Sequence, residues 1–254
     1  MAWYYEHPDL VIPPDGTVIW RYMDLWKFER MLSRGGIFFS RADKQQSDKV
    51  EGEYPPAMVA EFERRFKRGI RSEADGANCT FLEWHKQKEI PSRLISCWST
   101  GGESRKRWRK YTSSTQSFAI RSTVERLKNC FRDKSTEPVV WIGKVRYGEE
   151  ENRLPESRFR WNINYMLYPF FAKKECYRWE GEIRATVNIA LSKQDEPKGC
   201  YVMGDLFGLI NSLWIHPQSP AGFKDEAVNV LSSSDLNEVG IYQSPWDSLP
   251  EGED

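Results

Sequence analysis

Glu180 and Glu182 bracket Gly181 in the run Trp179-Glu180-Gly181-Glu182-Ile183-Arg184, and this carboxylate pair is the grouping in the chain best suited to chemistry. If Tyr177 to Ile189 is one strand, residues two apart share a face, so both acids project side by side and Arg184 follows them. Adjacent acids repel, and one can then hold its proton at neutral pH. That suits general acid/base work, or stabilisation of a cationic intermediate beneath a cleft. On an open strand the same residues form only a solvated charged face, and the spacing leaves both readings open.

A second grouping is basic. Arg105, Lys106, Arg107, Arg109 and Lys110 surround Trp108, a pattern suited to phosphate contacts with stacking on a base. The alternative is a solvated helix whose buried edge is Trp108 and Tyr111, three apart. Asp43, Asp48, Glu51 and Glu53 could collect Mg²⁺ and support a metal-dependent nuclease. Acids also populate turns for their local hydrogen bonds, and no lysine-bearing nuclease strand accompanies these. His7, His85 and His216 lack zinc-ligand spacing and no cysteine motif completes a site, so no metal site is expected.

The elements that must position these groups alternate irregularly. Strands are expected at Val18 to Tyr22, Ile37 to Ser40, Arg93 to Ser99, Ser117 to Arg121, Pro138 to Val145, Tyr177 to Ile189 and Leu213 to His216. Helices are expected from Asp24 to Ser33, closed by Gly35-Gly36, and at 57–71, Phe81 to Lys88, Ser122 to Asn129 and Asp225 to Leu231. No glycine-rich nucleotide motif follows any strand. The expectation is an α+β fold, a mixed or antiparallel sheet with helices packed on it.

A length of 254 residues suits one domain, 1–254, with 1–16 as an N-terminal extension and 247–254 as a frayed tail. The 37 basic and 37 acidic residues cancel, so attraction to a polyanion must come from local clustering. Aromatics at 14% argue for a packed core with rigid pockets. Five scattered cysteines, no leader-like N-terminus and no run of membrane-spanning length predict a reduced, cytoplasmic protein with no membrane partner.

The order of the pieces resembles a mainly bacterial family, domain of unknown function twenty-nine seventy-one. The shared elements are Trp20-Arg21-Tyr22 through Leu32, Phe39-Ser40-Arg41-Ala42-Asp43, Ser96-Cys97-Trp98-Ser99, Glu103-Ser104 leading to Trp108-Arg109-Lys110-Tyr111, and Lys173-Lys174 before Trp179 to Arg184. Asp48-Lys49-Val50-Glu51-Gly52 stands where that family has Asp-Pro-x-Glu-Gly. The chain also resembles ADP-ribosyltransferases of the arginine, serine, glutamate type, with Arg21, the hydroxyls Thr112 to Thr115, and Glu180 with Glu182 at the matching positions.

That second resemblance implies NAD as cofactor, a transferase or glycohydrolase activity, and a nucleic-acid or protein acceptor. Arg21 would clamp a phosphate, Tyr111, Ser113 and Ser114 would line the nicotinamide side, Glu182 would stabilise the ribosyl cation, and Glu180 would help select the acceptor. The alternative is a non-catalytic nucleic-acid-binding or sensor module, in bacterial defence, using Arg105, Arg107, Trp108 and Arg109. The transferase reading expects Arg21, Tyr111 to Ser114 and Glu182 to line one pocket, with Glu182 partly buried and on the order of 10 Å from the guanidinium. A solvent-facing Glu182, or an Arg21 on the opposite side of the sheet from it, would defeat the transferase reading and pass the search for a site to the acidic loop or the basic segment.

Overall fold

The structure is a computed structural model describing residues 2–8, 10–45, 52–54, 56, 59–60, 71–72, 79–132, 138–148, 164–190, 194, 197–234, 236–245 and 249–250. The fold is α+β. Its strands are β1 (Trp3–Tyr4), β2 (Val18–Asp24), β3 (Gly36–Arg41), β4 (Arg71–Ser72), β5 (Cys79–Thr80), β6 (Arg93–Ser99) and β7 (Ser117–Thr123). They continue with β8 (Val139–Lys144), β9 (Arg146–Tyr147), β10 (Ala172–Lys173), β11 (Glu182–Asn188), β12 (Gly199–Met203), β13 (Ser212–Ile215) and β14 (Gly240–Gln243). Ten of them form one mixed sheet whose main path runs β1-β8-β11-β6-β2-β7-β13-β14.

The sheet forks at β6. One edge of β6 is filled by β11 along seven register pairs, while the other carries β2 at Trp20↔Ser99 and then β3 at Ser40↔Ile95 and Arg41↔Leu94. β12 extends the β3 branch. Arg93 to Ser99 is a central strand, and six of its seven residues are buried, the polar Arg93, Ser96 and Ser99 among them.

The two faces differ in chemistry. One carries Ile19, Met23, Leu94, Trp98, Ile120, Ile142, Ile183 and Ala185 into the main core, under the helices Leu25–Arg34, Val124–Cys130 and Phe223–Ser232. Register places Trp20, Tyr22, Ala119, Ile95, Cys97, Ser99, Glu182 and Arg184 on the other face. That face packs against Trp108 on one side and Leu167, Phe170 and Phe171 on the other.

Helix ends follow from the sequence. Gly35, at φ 60, closes Leu25–Arg34, and its N–H reaches the carbonyls of Met31 and Leu32. Ser104 and Thr123 cap the next two long helices through their hydroxyls, at 3.2 Å from Arg107 N and Arg126 N. Trp3 and Tyr4 of the proposed extension pair in parallel with Val139 and Val140, and Leu249 of the proposed tail packs on the Trp20, Tyr22 and Trp108 cluster. The helix expected at 57–71 lies almost wholly outside the described residues.

Candidate functional site

Glu180 and Glu182 do not alternate along one strand. Glu175–Glu180 is a 3-10 helix, Gly181 turns left-handed at φ 53, and only Glu182 begins β11. The strand expected from Tyr177 therefore starts five residues late, because the chain must bend back before it can enter the sheet. Gly181 permits the bend: a Cβ there would meet Thr100 Oγ1 at 2.9 Å.

The carboxylates meet on a third residue. Lys173 Nζ lies 2.6 Å from Glu180 Oε2 and 2.9 Å from Glu182 Oε2, while Arg184 Nε donates to Glu182 Oε1 at 3.0 Å. Glu182 is 3% exposed and Arg184 is 1% exposed. Arg184 Nη1 also donates to the Phe170 carbonyl at 2.5 Å, and Glu182 N donates to Tyr147 Oη at 2.8 Å. Lys173 reaches this position because β10 pairs in parallel with β9, setting Lys173 opposite Tyr147.

Electrostatics fix the charge of Glu182. Burial pushes its carboxyl upward, but the Arg184 guanidinium and the Lys173 ammonium outweigh burial and hold it at about 2. Glu182 is therefore an anion at neutral pH. Burial lowers Lys173, yet Glu182 and then Glu180 raise it above the usual lysine range, which rules out an amine nucleophile. Burial and the Glu182 charge push the neighbouring Cys97 thiol well up, so no thiolate forms there.

Tyr111 belongs to this cluster. Its hydroxyl is hydrogen-bonded to Glu180, and burial followed by the Glu180 and Glu182 charges raises its pKa. Its ring stacks on Trp179 at 6.3 Å and on Tyr22 at 6.1 Å, and Lys106 Nζ sits 4.5 Å from the Trp179 ring centre. Ser113 is elsewhere: its N–H and hydroxyl donate to the Asp24 carboxylate at 2.7 and 2.8 Å. Ser114 is exposed and closes a local turn, accepting from Gln116 N at 3.1 Å. The hydroxyl run therefore anchors a loop.

Arg21 corrects the sequence reading most sharply. It pairs with Ile120 in register, on the main-core face and opposite to Glu182. Its guanidinium sits in the fork, donating to Phe38 O at 2.8 Å and to Ser96 Oγ, 5.7 Å from the Trp98 ring centre. Burial lowers its pKa to about 10, so it stays charged. Strand parity carries this result, and parity was available in sequence once the register was known.

The basic segment is the helix Arg105–Tyr111, and two of its expected nucleic-acid residues turn inward. Trp108 is fully buried, donating Nε1–H to Glu103 Oε1 at 3.1 Å, so it cannot stack on a base. Arg107 donates to Ser99 Oγ at 3.0 Å and to the carbonyls of Gly102 and Trp179 at 2.8 Å each. Ser99 in turn donates to Glu180 O at 2.6 Å, so Arg107 ties the 3-10 turn to β6. Arg109 and Lys110 are exposed, and Arg105 is half-buried.

In the acidic loop, Asp43 pairs with Arg41 at 2.7 Å and Glu53 with Lys86 at 3.2 Å, while Asp48 and Glu51 lie outside the described residues. Among the described residues no group of three His, Cys, Asp or Glu side chains could hold a metal ion, and no helix is long and apolar enough to cross a membrane. A groove of about 260 Å³, lined by Lys224, Val228, Leu231, Val239 and Ile241, contains none of the expected site residues.

Tyr147 is the contributor that sequence reasoning missed, while Lys173 and Ser99 stood as motif residues and were given no role in the site. The one available signal was Lys173 itself, a lysine directly after the apolar run Tyr168 to Ala172, where a buried ammonium needs a carboxylate.

No family model matches the chain, so its resemblance to domain of unknown function twenty-nine seventy-one stands on motifs alone. No curated protein matches it. Solved structures similar to it include DarT from Thermus sp. 2.9 in complex with NAD+, at 10% identity and TM-score 0.38, covering 92% of this chain and 98% of that one. The same protein with carba-NAD+ gives 9% identity and TM-score 0.37, again covering 92% and 98%. With ADP-ribosylated ssDNA it gives 11% identity and TM-score 0.36, covering 93% and 98%. Scores at this level fix neither a family nor a ligand for this chain.

Proposed function

We propose that the chain is an NAD-using enzyme of the ADP-ribosyltransferase kind, a transferase or glycohydrolase, with Glu182 as the carboxylate that meets the ribosyl cation. The three-segment geometry expected of the transferase is not met, since Arg21 and Glu182 lie on opposite sheet faces; the phosphate clamp is dropped, and the reading now rests on the carboxylate pair alone. The supporting observation is the convergence of Glu180 and Glu182 on a single positive charge, at 2.6 and 2.9 Å from Lys173 Nζ. Two fixed carboxylates are suited to a cationic transition state, and Glu182, held as an anion beforehand, needs no reorganisation when charge develops.

The half-buried rings of Tyr111 and Trp179 border the pair and offer faces for a planar nicotinamide or base. The acceptor in this reading is a nucleic acid or protein approaching past Arg109 and Lys110. The experiment incubates purified protein with NAD, alone and with single-stranded oligonucleotides or protein acceptors, and follows nicotinamide release and label transfer. Activity that falls at least 100-fold in Glu182→Gln supports the reading. Wild-type turnover no greater than that of E182Q overturns it.

A further inference from the structure

Four charged side chains meet out of solvent at the start of β11: Lys173, Glu180, Glu182 and Arg184, all at most 5% exposed. Their formal charges cancel. Burying such a set costs more than filling the same volume with apolar groups, so stability alone is a poor reason for it. Arg184 already satisfies Glu182 in bidentate fashion, with Nε at 3.0 Å and Nη2 at 3.3 Å. Lys173 is therefore surplus to the pairing of Glu182, and among the ion pairs of the described residues only Lys173 touches both glutamates.

We infer that Lys173 is the positioning residue of this site: its ammonium bridges Glu180 and Glu182 and sets the spacing at which the pair meets a cation. The geometry is that of a staple. Lys173 and Glu180 are seven residues apart at the two ends of the segment that carries the 3-10 helix, and their 2.6 Å contact closes it into a loop beside Gly181. The ammonium also lies 5.1 Å from the Tyr177 ring centre inside that loop, which favours a fixed cation. Without the bridge, Glu180 keeps its hydrogen bond to Tyr111 and Glu182 keeps Arg184, and no ion pair among the described residues joins the two carboxylates.

The titratable and charged groups around Glu182 are Arg184 on β11, Cys97 on β6, Tyr147 on β9, Lys173 on β10, Tyr111 on the basic helix and Glu180 on the 3-10 turn, which shares Lys173 with it. Both cysteine and tyrosine groups are raised, chiefly by burial, so Lys173 and Arg184 are the cations that hold Glu182 ionised. Removing Lys173 halves that positive charge.

The role assigned to Lys173 rests on the proposed use of Glu182, and its test has a readout that does not depend on turnover. The side-chain carboxyl carbon of Glu182, assigned with E182Q, is followed by NMR against pH in the wild type, Lys173→Met and Lys173→Arg. The expected result is no inflection between pH 4 and 8 in the wild type, an inflection inside that window in K173M, and none again in K173R. A wild-type inflection at the ordinary glutamate value, or folded K173M that titrates as wild type does, overturns the inference. Should K173M not fold, Lys173→Gln is titrated in its place, with the same two outcomes. Where NAD turnover is present, K173M lowers kcat at least tenfold with KM within twofold and K173R recovers most of the loss; an unchanged kcat overturns the positioning role. Absent turnover with the expected titration defeats the function reading and leaves the bridge standing.

Discussion

Arg21 Nη2 donates to the Phe38 carbonyl at 2.8 Å, joining the two strands that diverge along the same edge of β6. Arg21→Ala leaves that carbonyl and the Ser96 hydroxyl facing a void, and should cost about 2–4 kcal/mol. Arg21→Lys, with a point charge in place of a planar fork, should recover only part of this. Thermal unfolding measures both, and a melting point within a degree of wild type for R21A would show that the fork does not depend on the guanidinium.

Acid should destabilise the protein through Glu182. Its folded pKa, about 2, lies below its ordinary 4.5, so its contribution is complete above about pH 4.5 and is lost as pH falls towards 2. The shift corresponds to about 3 kcal/mol. Urea midpoints measured from pH 7 to pH 2 should fall across that window, and E182Q, less stable at pH 7, should show a shallower fall.

Gly181→Ala probes the bend between the two carboxylates. At φ 53 a side chain is strained, and the new methyl would press on Thr100 Oγ1, so a loss of about 1–2 kcal/mol is expected. That is a melting shift of about 4 °C for a chain of this size. Any NAD turnover should drop with it, because the bend sets where Glu182 enters the sheet.

The basic helix should separate into two classes of residue. Arg109→Ala and Lys110→Ala each lower the dependence of nucleic-acid affinity on salt by about one unit of log–log slope. Arg107→Ala acts on stability instead, through the lost contacts to Ser99, Gly102 and Trp179. Fluorescence anisotropy with a single-stranded oligonucleotide at several salt concentrations measures the first class; a slope unchanged by both exposed variants removes the helix as a phosphate-binding face.

Short-range signals were legible in the sequence, and pairing across the sheet was not. Apolar runs located β2, β6 and β7 closely, and caps and glycine located the helix Leu25–Arg34, because these depend on neighbours a few residues away. Trp108 and Tyr111 were read correctly as one helix edge in the structural alternative. The same alternation logic failed at Glu180 because a 3-10 turn and a left-handed glycine interrupt the period of two. It could not place Arg21 either, since which face a residue takes is fixed by register with a strand about a hundred residues away. The role of Lys173 was not legible for the same reason: its partners are set by the β9–β10 pairing, and those strands are two residues each.

The strand order also governs how this chain must assemble. β11 lies between β8 and β6, and β1 waits for β8, with Trp3 meeting Val139. A chain growing from its N-terminus can join β2, β6 and β7, yet the inner edge of β6 stays open until Asn188 has been made. The ion cluster therefore closes late, after the long-range pairings that make such topologies slow. Until then an apolar strand faces solvent as an unpaired edge, and a ribosome stalled before residue 188 would hold a nascent chain prone to capture by chaperones or by its own copies.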